Sequence, residues 1–112
     1  MTHQKFNLNI RHDFPPNIWE NVLQAYSRLE GWLGLGDGEI GESGIPYWFS
    51  FDASEKHVSA SVEPSGLSFQ GKMDEQEWLR WKYKTKVVMS HALGLIVGEI
   101  EEGEVQQEPE PL

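Results

Sequence analysis

Cysteine is missing from all 112 residues, which excludes disulfide frameworks and thiolate metal sites and fits a reducing compartment. Long apolar runs are missing too. No stretch approaches the roughly 20 apolar residues that a membrane span needs. Met1-Thr2-His3-Gln4-Lys5 leads into alternating residues, with no apolar run after its positive charge, so no signal peptide is expected and the cytoplasm is the expected location. Bases are scarce, with nine Lys and Arg against 18 Asp and Glu, a net charge of −9. Phosphate binding needs Lys and Arg to displace counterions, so nucleic acid is not the expected partner. A basic protein surface is, because attraction raises its encounter rate. The four histidines show no His-x-x-x-His spacing, and neither a metal site nor a cofactor is expected.

What is present describes a folded domain. Hydrophobic residues make up 38% of the chain and five are Trp, too apolar a composition for disorder. The length suits one core. Acidity is uneven. Glu99, Glu101, Glu102, Glu104, Glu108 and Glu110 form a base-free end, and the rest holds 12 acids against nine bases. The reading is one domain over residues 1–98 and an acidic, disordered tail over 99–112.

Apolar periodicity sets the expected elements. Phe6, Leu8 and Ile10 alternate as a half-buried strand. Pro15 and Pro16 open a helix to about Glu30, with Ile18, Val22, Tyr26, Leu29 and Leu33 on its inner face and Trp19 and Leu23 widening it. Residues 31–44 hold six glycines and read as a loop. Ile45 to Phe51 reads as a strand with Tyr47, Phe49 and Phe51 inward and Trp48 outward. Lys56 to Val62 follows with Val58, Ala60 and Val62 inward, then a Glu63-Pro64-Ser65-Gly66 turn and a strand from Leu67 to about Gly71. Asp74, with Glu77 at capping-box spacing, starts a long helix with a Trp78, Trp81, Thr85, Val88, Ala92, Leu95 seam, ending at Gly94. The expected fold is α+β, in the order β-α-β-β-β-α. It has an antiparallel sheet of about four strands with both helices on one face.

Catalytic motifs are weak. Gly36-Asp37-Gly38-Glu39-Ile40-Gly41 matches the dinucleotide pattern Gly-x-Gly-x-x-Gly, but it follows a helix and precedes a strand, the reverse of what that chemistry needs. His57, beside Asp52 and Glu55, reads as a surface histidine more readily than as a general base. Arg80, Lys82, Lys84 and Lys86, interleaved with Trp81 and Tyr83, superficially resemble a nucleic-acid surface. On a helix they diverge and read as a solvated face. No nucleophile stands at motif spacing from a base, so the expectation is not an enzyme. Trp32 and Trp48 are the aromatics expected to be exposed, and Trp beside carboxylates is the make-up of a protein-binding hot spot.

The layout resembles a known group. The chain is short, acidic and cysteine-free, with a helix-meander-helix order and Ile45-Pro46-Tyr47-Trp48-Phe49 entering the meander. Its Trp-bearing helix ends in Ala92-Leu93-Gly94-Leu95-Ile96-Val97-Gly98-Glu99, followed by the acidic end. In these features it is similar to the small bacterial immunity proteins of contact-dependent growth inhibition and related polymorphic toxin systems. The resemblance implies a toxin inhibitor that binds the C-terminal toxin domain of its cognate effector, often a nuclease with a basic cleft, in a one-to-one complex with a monomer. It supplies no residue pattern. From charge and placement, the expected contacts are Asp37, Glu39 and Glu42, with Trp32, Tyr47 and Trp48 as apolar anchors. The second choice is the sheet face carrying Trp48, His57, Ser59 and Ser61. Two alternatives stand beside it: a small adaptor or regulatory protein-binding domain, and a small hydrolase or ligand-binding domain.

Overall fold

The structure is a computed structural model and describes residues 1–36, 44–106 and 108–112. Its elements are β1 (Thr2–Leu8), α1 (Pro16–Tyr26), β2 (Trp32–Gly36), β3 (Ile45–Trp48), β4 (His57–Glu63), β5 (Gly66–Met73) and α2 (Glu75–Leu93). The five strands form one antiparallel sheet in the order β1-β5-β4-β3-β2. The first strand therefore pairs with the last, and α1 carries the chain from one sheet edge to the other. Both helices cover one face, and the fold is α+β as expected, with one strand more.

The core grows from matched periodicities. Phe6 faces Phe69 across β1 and β5, and Leu8 faces Leu67. Trp78 and Trp81 of α2 close on this row, the Phe6 ring 5.4 Å from Trp78 and the Phe69 ring 5.7 Å from Trp81. From α1, Val22, Ala25 and Tyr26 are buried beside them. At the start of α2 the Asp74 carboxylate accepts the amides of Gln76 and Glu77, which satisfies two orphan donors. Glu77 does not complete the box; its carboxylate pairs with Lys56. Gly94 ends the helix in the left-handed conformation, at φ 66°.

The glycine-rich stretch departs from its reading as a loop. Trp32–Gly36 pairs with β3, with an irregularity between Trp32 and Gly34. Glycine is a poor strand former, so aromatic anchoring carries the segment. The Trp32 ring sits 5.8 Å from Tyr26 and 5.2 Å from Trp48.

The phase of β3 is also reversed. Trp48 points at the helices and is fully buried, its Nε1 donating to the Tyr26 carbonyl at 3.2 Å. Tyr47 lies on the opposite face, 5.5 Å from the ring of exposed Phe51. The expected alternation stops at Phe49, whose φ of 71° follows the end of the strand. Its N–H donates to the Gly31 carbonyl at 2.7 Å. Its ring lies where a Cβ on Gly31 would come within 2.6 Å, and Gly31 itself holds φ 89°. Gly is required there on both counts.

The acidic end is not described as a free tail. Asn9 binds it, its N–H donating to the Gly98 carbonyl and its side-chain oxygen accepting from the Gly98 N–H, both at 3.1 Å. Glu99 is buried, with Lys86 at 2.7 Å and Lys82 at 3.3 Å. Glu104 also meets Lys86, at 2.9 Å, and Glu108 meets Arg11 at 2.6 Å. Three of the six acids at this end are thus the counter-charges of three bases in the body.

Candidate binding surface

One face of α1 and the β2–β3 hairpin enclose an apolar groove of about 460 Å³. Trp19, Leu23 and Tyr26 supply the helix side, Leu35, Gly44, Ile45 and Pro46 the hairpin, and Ala60, Ser61 and Val62 the floor and rim. Leu23, Leu35 and Val62 are 54%, 57% and 51% exposed, so three large apolar side chains meet water around one depression. Scattered exposed apolar residues need no explanation, whereas a contiguous set marks an interaction site. Burial pushes the Tyr26 phenol well above its usual range, so it stays neutral. Ser61, on the rim, donates to the Glu63 carboxylate at 2.9 Å, which puts an acid beside the groove.

The residues read from sequence as partner contacts fall in several places. Asp37, Glu39 and Glu42 lie outside the described residues. Trp32 is half-buried among Tyr26 and Trp48. Tyr47 is half-buried on the far sheet face, its ring so close over Gly36 that a Cβ there would come within 2.9 Å. Trp48 is a correction: expected at the surface, it is a fully buried core residue. The second choice is corrected in part, since His57 is also buried, its Nδ1 2.9 Å from the Glu55 carbonyl, while Ser59 and Ser61 remain accessible.

Leu23, Leu35 and Val62 are the surface residues that sequence reasoning missed. Leu23 and Val62 are in phase with the buried faces of α1 and β4, so periodicity assigns them to the core. They are exposed at the α1–hairpin groove instead, a tertiary fact that local pattern does not contain.

Among the described residues no helix is long and apolar enough to cross a membrane, and no group of three or more His, Asp or Glu is placed to hold a metal ion. Compared with known families, curated proteins and solved structures, the chain gives no match in any of the three.

Proposed function

We infer that this protein acts by binding, as an immunity protein that blocks the toxin domain of a cognate bacterial effector, and that the groove between α1 and the β2–β3 hairpin is its contact surface. The observation that carries this reading is the clustering of Leu23, Leu35 and Val62 at a groove whose hairpin strands flank the acid-bearing residues 37–43. Two peptide steps separate Asp37 from Leu35 and Glu42 from Gly44. The covalent chain alone keeps both acids within ~8 Å, Cα to Cα, of groove-lining residues. An apolar patch bordered by carboxylates suits a basic partner, and a toxin that cleaves nucleic acid presents a basic cleft. The groove seats only a few side chains, so the surrounding surface must supply most of the roughly 800 Å² per partner of a stable interface.

The test is co-purification from the native bacterium with the tagged chain as bait and mass spectrometry as readout. The expected result is one large effector, or its C-terminal fragment, at near-equal stoichiometry. It should be lost in a Leu23→Glu, Leu35→Glu variant that still folds. Recovery of housekeeping complexes alone, or of an effector whose capture ignores both substitutions, would overturn the reading. The adaptor alternative uses the same kind of surface with another partner, and a second groove of opposite charge favours it specifically.

A further inference from the structure

Nine bases stand in the chain, and Arg11, Lys56, Lys82 and Lys86 are tied to carboxylates. Among the described residues, Lys5, Arg28, Lys72, Arg80 and Lys84 make no such pair. Three of these five gather on one side. Arg28 and Lys84 line a groove of about 360 Å³ between the end of α1 and the flank of α2. Arg80 and Lys84 line the adjoining depression of about 290 Å³, which shares Glu30 and Trp81 with the first. Helix geometry makes the arrangement, since Arg80 and Lys84 stand one turn apart, as do Tyr83 and Val87.

The groove is apolar between its charges. Leu29 and Trp81 are buried beneath it and Val88 is half-buried. The Trp81 Nε1 donates to the Glu30 carbonyl at 2.9 Å, so the indole offers the groove only its apolar surface. Tyr83 stands at the rim 69% exposed, the most exposed aromatic among the described residues, with Val87 beside it. In a chain of net charge −9, this is a local reversal of sign around an apolar seat.

The reversal selects an anionic occupant, and the apolar seat selects among anions. Nucleic acid binding draws most of its affinity from many phosphate contacts, and three bases beside Glu30 and the Lys56-paired Glu77 on an acidic chain supply few. An anionic membrane surface is worth about 1 kcal/mol per nearby base and asks for clusters of about four to eight. An acidic polypeptide segment with spaced apolar residues matches both features, its carboxylates meeting the guanidinium forks and its apolar side chains the seat. We propose that this groove docks an acidic, amphipathic segment of a second protein. It shares no lining residue with the α1–hairpin groove, so both can be filled at once and the chain can join two proteins of opposite charge. The docking stands on its own residues, whether or not the first groove takes a toxin.

The probe is a displayed library of random peptides of about 16 residues, long enough to favour a helix. It is panned on the full chain and counter-selected on an Arg28→Glu, Lys84→Glu variant whose thermal unfolding matches the parent. Enriched peptides are expected to be net acidic with apolar residues three and four apart. They should bind the parent about tenfold or more tighter than the variant and weaken as salt rises. Amide chemical-shift changes should concentrate at Arg28–Glu30 and Trp81–Val88. The proposal is overturned if no peptide enriches, if the enriched peptides are basic, or if they bind the variant equally well. It is also overturned in favour of a membrane, nucleic acid or a second copy under a different set of results. These are that phosphatidylserine vesicles, a single-stranded oligonucleotide or self-association is lost on Lys84→Glu while no acidic peptide is selected.

Discussion

Trp48 shows how far a side chain's role departs from its place in a local pattern. It stands between Tyr47 and Phe49, both aromatic, and the apolar alternation can be taken in either phase. The structure buries Trp48 against Tyr26 and Trp81, the rings 5.2 and 5.3 Å away, and uses its one polar atom to satisfy the Tyr26 carbonyl. Trp48→Ala is therefore expected to cost about 3–5 kcal/mol, because it opens a cavity that the surrounding rings fill poorly. Trp48→Phe should cost less, about 1–3 kcal/mol, through the smaller ring and the lost indole hydrogen bond, since the Tyr26 carbonyl keeps the Leu29 N–H as a donor. Urea unfolding followed by fluorescence separates the two, and a near-neutral Trp48→Ala would return the residue to the surface. Glu104 gives a second check. Burial works to raise its pKa, but the Glu99 N–H and then Lys86 outweigh it and hold the carboxyl below its ordinary 4.5. For Lys86, burial opposes the charge, and Glu99 and Glu104 outweigh it, holding the ammonium above its ordinary value. A carboxyl depressed in the folded state contributes stability above its ordinary pKa and loses it as pH falls through the lower folded value. Between about pH 5 and 3, melting temperature should therefore fall less in Glu104→Gln than in the parent. The difference should be small, since Glu104 is well exposed and screened.

Helix α2 and β1, β4 and β5 were legible in the sequence because each has an unbroken period and clear punctuation; α1 was legible at its start but ends at Tyr26, short of the expected Glu30, and Leu33 lies exposed in β2 instead of on its inner face. Asp74 and Gly94 bound α2, and the Glu63–Gly66 turn joins β4 to β5 in direct register. What was not legible depends on contacts between distant residues. Strand β2 exists because Trp32 finds Tyr26 and Trp48, and nothing within Gly31–Gly36 announces that. The candidate groove was hidden for the same reason, since Leu23 and Val62 look like core until the elements around them are placed. The acidic end resembles a disordered tail by composition, but its acids find Lys82, Lys86 and Arg11. Truncation after Gly98 removes those carboxylates and leaves Lys86 half-enclosed without a counter-charge. Melting temperature is expected to drop by several degrees, on the order of 1–2 kcal/mol for a chain of this size. An unchanged melting temperature would return the segment to the status of a solubility tail. The central pair β4–β5 allows a sharper test. A Cβ on Gly71 would lie 2.0 Å from the His57 carbonyl oxygen, and backbone in a paired strand cannot step aside. Gly71→Ala is expected to cost about 3 kcal/mol or more, or to prevent folding, and retained stability in urea would mean that the β4–β5 approach is wider than described.

Charge over the entire chain links the two grooves. The net charge of −9 does not act as a uniform field, because three of the six acids of the C-terminal end, Glu99, Glu104 and Glu108, are paired with Lys82, Lys86 and Arg11. Arg28, Arg80 and Lys84 form a local positive excess, and the sequence puts Asp37, Glu39 and Glu42 between β2 and β3. Electrostatics and apolar contact then predict different kinetic signatures for the proposed partner of the α1–hairpin groove. Exposed carboxylates act before contact, by raising the frequency of productive encounter, and are screened within a Debye length of about 10 Å at 0.1 M salt. Leu23 and Leu35 act only after contact, by losing water against the partner. Neutralising the acids as Asp37→Asn, Glu39→Gln and Glu42→Gln should slow association by about tenfold at low salt, flatten its salt dependence and leave dissociation nearly unchanged. Leu23→Ala with Leu35→Ala should do the reverse, leaving association within about twofold while dissociation quickens by tenfold or more, since apolar losses fall mostly on dissociation. Stopped-flow association across a salt series, with the effector fragment recovered by co-purification, reads both. If the neutralised variant associates at the parent's rate with the parent's salt slope, those acids do not face the partner, and the contact surface must be sought away from the hairpin.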